Sequence, residues 1–153
     1  MKPAISKRKL GTPYFYDKVA GIEMKLPENY LIYNYNRKVW LGGSTDGTQL
    51  LHIERVSNTN GSIPTILAEG DLDLFICSTS SQIDIISNQI KGIEMEGTLS
   101  GTDIKGYLAM VDLRDESQYL VLIAGNADSV VQQEKELAIR IAASLVGSIS
   151  IAA

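Results

Sequence analysis

A chain of 153 residues with 44% hydrophobic and 21% charged content can bury roughly 70% of its unfolded surface in one core, and it is too apolar to be globally disordered. No apolar run reaches the about 18 residues of a membrane-spanning helix, and a single cysteine (Cys77) and a single histidine (His52) exclude an internal disulfide and a zinc site built on Cys and His. The net charge of −4 is unevenly spread: residues 1–9 hold four of the 14 basic residues and no acid, so the remainder has ten bases against 18 acids, a balance that repels phosphate backbones and argues against general nucleic-acid binding.

Residues 1–13 contain Lys2, Lys7, Arg8, Lys9, Gly11, Pro3 and Pro13 without periodicity and read as a flexible basic arm ahead of one domain at 14–153. No apolar h-region follows the cations, so they do not read as a secretory signal; cytoplasmic and exported locations both stay open. Tyr14-Phe15-Tyr16 is either a short edge segment or a means of packing the arm onto the body. Ile22-Glu-Met-Lys-Leu26 alternates as a strand with one wet face, Pro27 stops it, and Glu28-Asn29 turn the chain. Tyr30–Trp40 reads as a second strand with Tyr33 and Tyr35 on one face. The loop 42–47 leads to a third strand at Thr48–Val56, and Asp46-Gly47 predicts that these two are antiparallel neighbours.

Two readings compete over 62–91. In one, Ser62 caps a helix that has Pro64 in its first turn and Ile63, Ile66, Leu67 and Leu74 as its buried stripe, weakened at Gly70 by about 1 kcal/mol relative to Ala. In the other, Leu72–Cys77 is a strand and Ser81–Lys91 a helix, with Ile83, Ile86 and Ile90 at helical spacing and Gly92 beyond its end. Ile93–Leu99 alternates cleanly. Ile104–Leu113 and Tyr119–Ala124 are apolar on both faces, which requires cover on both sides of the sheet, and their short connection makes them antiparallel. Ser129-x-x-Gln132 is a capping box opening a long helix whose stripe runs Val130, Val131, Leu137, Ala138, Ile141, Ala142 and Leu145.

Catalytic patterns are missing from the sequence. His52 sits in a strand pattern with no orienting partner in view, and Cys77 with Ser78, Ser80 and Ser81 forms no nucleophile elbow. Asp71 and Asp73 with Glu69 lack calcium-loop spacing, Asp112, Asp115 and Glu116 suit a turn, and no Gly-Lys-Ser/Thr follows Gly42-Gly43. Asn60-Gly-Ser62 matches a glycosylation sequon. We therefore assign no catalytic residue, cofactor or metal. Tyr30, Tyr33, Tyr35 and Trp40 beside Asn34, Asn36, Arg37 and Lys38 form an aromatic, polar stretch suited to a protein partner; Tyr33, Tyr35, Arg37 and Trp40 are the candidate partner-binding residues. Core packing is the competing explanation for some of these rings.

Gly21-Ile-Glu-Met-Lys-Leu-Pro-Glu28, the strand Ile104–Val111 with Gly106, the strand Tyr119–Ala124 and a helix closing on Ile141-Ala-Ala-Ser-Leu145 resemble the pattern of PsbP/Mog1-like domains. Asn29-Tyr30 stands where that pattern has Gly-Trp. The resemblance implies an antiparallel sheet flanked by helices and a non-enzymatic accessory or partner-binding role, with no binding residue to transfer. The expected fold is α+β: about six antiparallel strands, a long C-terminal helix and at least one further helix within 62–91. The expected function is an accessory or protein-interaction domain. Alternatives are a small-molecule binder or minor hydrolase with a cleft near His52, Cys77 and the acids 69–73, and a structural subunit assembling through strand edges.

Overall fold

A computed structural model describes residues 11–57, 76–79, 83–99, 102–113, 117–126 and 131–152. Its elements are β1 (Tyr14–Asp17), β2 (Ile22–Lys25), β3 (Tyr30–Asn36), β4 (Val39–Ser44), β5 (Leu50–Ser57), β6 (Ile76–Thr79), β7 (Asp84–Ile85), β8 (Ile90–Leu99), β9 (Thr102–Asp112), β10 (Ser117–Asn126) and α1 (Val131–Ala152). The main sheet runs β3-β4-β5-β10-β9-β8-β6, all antiparallel, with the short β7 also paired to β8; β1 and β2 form a separate hairpin.

Strands adjacent in sequence pair into two meanders, β3-β4-β5 and β8-β9-β10. The non-local pairing of β5 with β10, in register from Ser117↔Ser57 to Ala124↔Leu50, joins them into one sheet. The strands apolar on both faces are β10, at this junction, and its neighbour β9. Tyr119 to Ala124 are all at most 1% exposed, as two-sided cover requires. One face carries Tyr119, Val121, Ile123, Tyr107, Ala109, Leu51 and Ile53 against Ala138, Ile141, Ala142 and Leu145 of α1 and Phe15, Ile22 and Met24 of the β1–β2 hairpin. The small Ala138 and Ala142 let the helix lie close to the sheet. The opposite face gathers Val56, Ile93, Met95, Ile104, Leu108, Met110, Leu120, Leu122 and Ala124.

The expected α+β balance does not hold. Strand accounts for 59% of the described residues, the sheet path has seven strands, and α1 is the one helix among them. A helix over Ser81–Lys91 is excluded because β7 pairs with β8 through Asp84↔Gly92 and Ile85↔Lys91, and Ile86 and Ser87 both donate backbone N–H to the Ile90 carbonyl, at 3.0 and 3.1 Å, in a tight hairpin. Of the isoleucines at helical spacing, Ile83 is 40% exposed, whereas Ile86 and Ile90 pack on the core from the two sides of this hairpin rather than from one helix face. The alternative helix beginning at Ser62, and Ser129 of the capping box, lie outside the described residues. Tyr30–Trp40 is two strands, because Arg37-Lys38 reverse the chain between β3 and β4. The Asp46-Gly47 signal does mark the β4–β5 turn, where Asp46 accepts from Ser44 Oγ at 2.6 Å and from Thr48 N and Oγ1 at 3.0 and 2.7 Å. Those bonds hold its carboxyl down at about 2.

Gly42 and Gly43 lie inside β4. A Cβ on Gly42 would stand 2.0 Å from the Leu31 carbonyl oxygen and one on Gly43 2.3 Å from that of Gln49, so close backbone approach explains the glycine pair. Two buried phenols tie layers together. Tyr107 donates to Asp84 Oδ2 at 2.7 Å, with Lys135 of α1 3.5 Å from the same oxygen and 5.6 Å from the ring centroid. Tyr30 donates to the Gln49 amide oxygen, and Gln49 Nε2 donates at 2.6 Å to Glu134 in the first turn of α1. Burial, then the neighbouring carboxylates, pushes both phenols well above their ordinary value.

Two outcomes are expected. Gly42→Ala should destabilise the fold by about 1–3 kcal/mol, read as a lower urea midpoint, because a backbone oxygen rather than a flexible side chain stands in the way. The unfolded chain releases its phenolic protons near pH 10 whereas the fold retains those of Tyr30 and Tyr107, so the unfolded state binds fewer protons there. The stability these phenols contribute is complete below pH 10 and falls as pH rises above it. Tyr107→Phe should lower stability at neutral pH and flatten the decline between pH 9 and 11; an unchanged alkaline slope would contradict the assignment.

Candidate functional site

The site begins with the alternation in Tyr14-Phe-Tyr-Asp17. Phe15 and Asp17 turn inward, and Tyr14 and Tyr16 stand 51% and 56% exposed on the outer face of the hairpin. Phe15 packs against Trp40 at 4.8 Å between ring centroids and edge-on against Tyr119 at 5.9 Å. Asp17 is 1% exposed. Its Oδ2 accepts from Arg55 Nε at 2.7 Å and from the Tyr119 hydroxyl at 2.5 Å, while Oδ1 accepts the backbone N–H of Val19 at 3.0 Å and Ala20 at 3.4 Å. A buried carboxylate is tolerated here because it meets a cation and three further donors.

Arg55 carries the geometry onward. Its Nη2 donates to the Arg37 carbonyl at 2.9 Å, and its backbone N–H donates to the Lys38 carbonyl at 2.8 Å. One guanidinium therefore sets the β1–β2 turn beside the β3–β4 turn. Tyr16, Val19 (75% exposed), Tyr35 (51% exposed), Lys18, Arg37 and Lys38 all project from these two turns or the strand residues next to them.

The four residues expected to bind a partner separate. Tyr33 is half-buried, opposite Leu41, and Arg37 is exposed at its turn. Tyr35 is the extra residue at a register shift between Asn34 and Asn36 and is exposed. Trp40 is a correction. It is 4% exposed, its ring packs on Phe15 and its Nε1 donates to the Tyr16 carbonyl at 3.1 Å, so it holds up the surface from beneath. Tyr14, Tyr16 and Val19 were hidden from sequence reasoning, although two tyrosines flanking a phenylalanine carried the alternation.

The residues weighed for catalysis do not converge. His52 and Glu54, 1% and 0% exposed with Nε2 and Oε1 3.1 Å apart, lie within β5 under the second face of the sheet. Cys77 is on β6, four strand spacings away, on the order of 19 Å. Residues 69–73 lie outside the described residues, as do Asp115 and Glu116; Asp112 accepts from Gln118 Nε2 at 2.5 Å at a strand end. Among the described residues no group of three or more His, Cys, Asp or Glu is placed to hold a metal ion, and no helix is long and apolar enough to cross a membrane. No protein-family model matches the chain, and no curated protein matches it.

The two kinds of aromatic residue should part clearly on truncation. Trp40→Ala removes a buried ring and is expected to cost about 3–5 kcal/mol of stability, whereas Tyr35→Ala should shift the urea midpoint by no more than about 0.5 kcal/mol. Similar losses for both variants would mean that Tyr35 is a core residue.

Proposed function

We propose that this chain is a non-enzymatic accessory or protein-interaction domain, and that it presents the corner formed by the β1–β2 and β3–β4 turns to a protein partner. The observation that carries this reading is the Arg55 clamp, which joins the two turns and fixes the backbone beneath exposed Tyr16, Tyr35 and Arg37. Tyrosine and arginine are residue types enriched at binding surfaces, because a large rigid ring or a planar fork loses little freedom for the contact it makes. A backbone already held from below reduces that ordering cost further. The resemblance to PsbP/Mog1-like domains implies the same kind of role. Against the hydrolase alternative stand the burial of His52 and its distance from Cys77.

The test compares two variants of the full chain as baits. Tyr16→Ala/Tyr35→Ala/Arg37→Ala should lose proteins that the wild type retains from its own cell extract, with an unchanged urea midpoint. Gln132→Ala/Glu136→Ala/Arg140→Ala, on the exposed face of α1, should retain them. Equal retention by the folded corner variant would remove the corner from the reading.

A further inference from the structure

Resting on that interaction reading, we propose that the corner takes an acidic peptide segment, gripped by side chains rather than by strand addition. The charge distribution favours an acidic occupant. Lys18 and Arg37 are exposed around the two turns. The acids of the same ribbon are Glu23, exposed opposite Tyr16, and Asp17, whose charge is taken up within the fold by Arg55. This makes a positive island on a chain of net charge −4, and such an arrangement steers an acidic segment to one place and repels it elsewhere. Tyr16, Tyr35 and Val19 lie among the cations and suit apolar side chains interspersed between the partner's carboxylates.

Strand addition is disfavoured by where the nearby backbone groups already go. The Tyr14 N–H donates to Thr12 Oγ1 at 3.3 Å, and the Thr12 hydroxyl donates to the Tyr14 carbonyl at 3.0 Å. The Tyr16 carbonyl accepts from Trp40 Nε1. On β3, the edge of the main sheet, Ile32 exchanges both backbone hydrogen bonds with Thr12 at 2.9 Å. A partner strand would have to displace these bonds, whereas the outward side chains need no displacement. A single-stranded nucleic acid would also meet Lys18 and Arg37, but its phosphates would continue past the corner along a negatively charged body. A short acidic peptide keeps its charge on the island.

Fluorescence anisotropy with the full chain tests this, using a labelled peptide of alternating Glu and Leu, its Lys/Leu counterpart and a thymidine oligonucleotide of equal length. The Glu/Leu peptide should bind, more weakly as salt rises, and the Lys/Leu peptide should not. Lys18→Glu/Arg37→Glu should weaken the Glu/Leu peptide about tenfold, because Arg37 meets the clamp through its backbone carbonyl and its side chain can be reversed without breaking that bond. Absence of Glu/Leu binding, indifference to charge reversal, or an oligonucleotide bound as tightly as the peptide would each overturn the proposal. If cell-extract partners are lost from the Tyr16/Tyr35/Arg37 variant while the Glu/Leu peptide fails to bind, the acidic occupant falls and the interaction surface stands. If they are retained, both fall.

Discussion

The arrangement of this molecule depends on one buried carboxylate. Asp17 ends β1 of a two-stranded hairpin whose backbone meets the main sheet at one bridge, Thr12 with Ile32 at the opposite end of β1, so side chains must fix its turn end. Replacing a buried ion pair by apolar groups of similar volume is often neutral or stabilising, and the pair with Arg55 is therefore best understood as a device for position rather than for stability. The carboxylate needs Arg55 on β5 and Tyr119 on β10 together. A hairpin shifted along the sheet would leave a buried charge without donors, at a cost of several kcal/mol. Apolar contacts alone, from Phe15, Ile22 and Met24, would tolerate more than one seating.

That constraint rests on another. Arg55 and Tyr119 are cross-strand partners in the β5–β10 register, so the Asp17 site exists once the two meanders have joined. The junction is also where both faces of the sheet are most completely buried. A one-residue slip would exchange the faces of β10, moving Tyr119 away from Asp17 and Val121 away from the helix. Hydrophobic burial and the polar triad thus select the same register, and each makes error in the other costlier.

Much of this was legible in the chain. The unbroken apolar run from Tyr119 to Ala124 announces a strand covered on both sides, and the alternation in Ile22–Leu26 and Ile93–Leu99 marks their wet faces. What escaped has specific causes. Arg37-Lys38 carries no glycine or proline, so the β3–β4 reversal looked like continuous strand. Ile83, Ile86 and Ile90 match a helical period, yet their bend is set by backbone bonds to the Ile90 carbonyl, which residue spacing does not reveal. The pairing of β5 with β10 joins residues 60 to 74 positions apart, and no local pattern specifies a non-local neighbour. For the same reason the site was half visible: Tyr35 and Arg37 could be proposed from their own stretch, but Tyr16 becomes their neighbour through Arg55.

The division of aromatic residues connects fold to function. Trp40 and Phe15 are enclosed, with the indole N–H spent on the Tyr16 carbonyl. Tyr16 and Tyr35 face outward, and a phenol can present an apolar ring while its hydroxyl stays solvated. The inner pair gives the outer pair a fixed foundation, because the atom that Trp40 holds is the backbone carbonyl of Tyr16 itself. A residue-type count would place all four rings in one sticky surface. The physical distinction is that Phe15 and Trp40 lie beneath the surface while Tyr16 and Tyr35 stand on it, so the buried rings bear on the platform and the exposed ones on the proposed recognition.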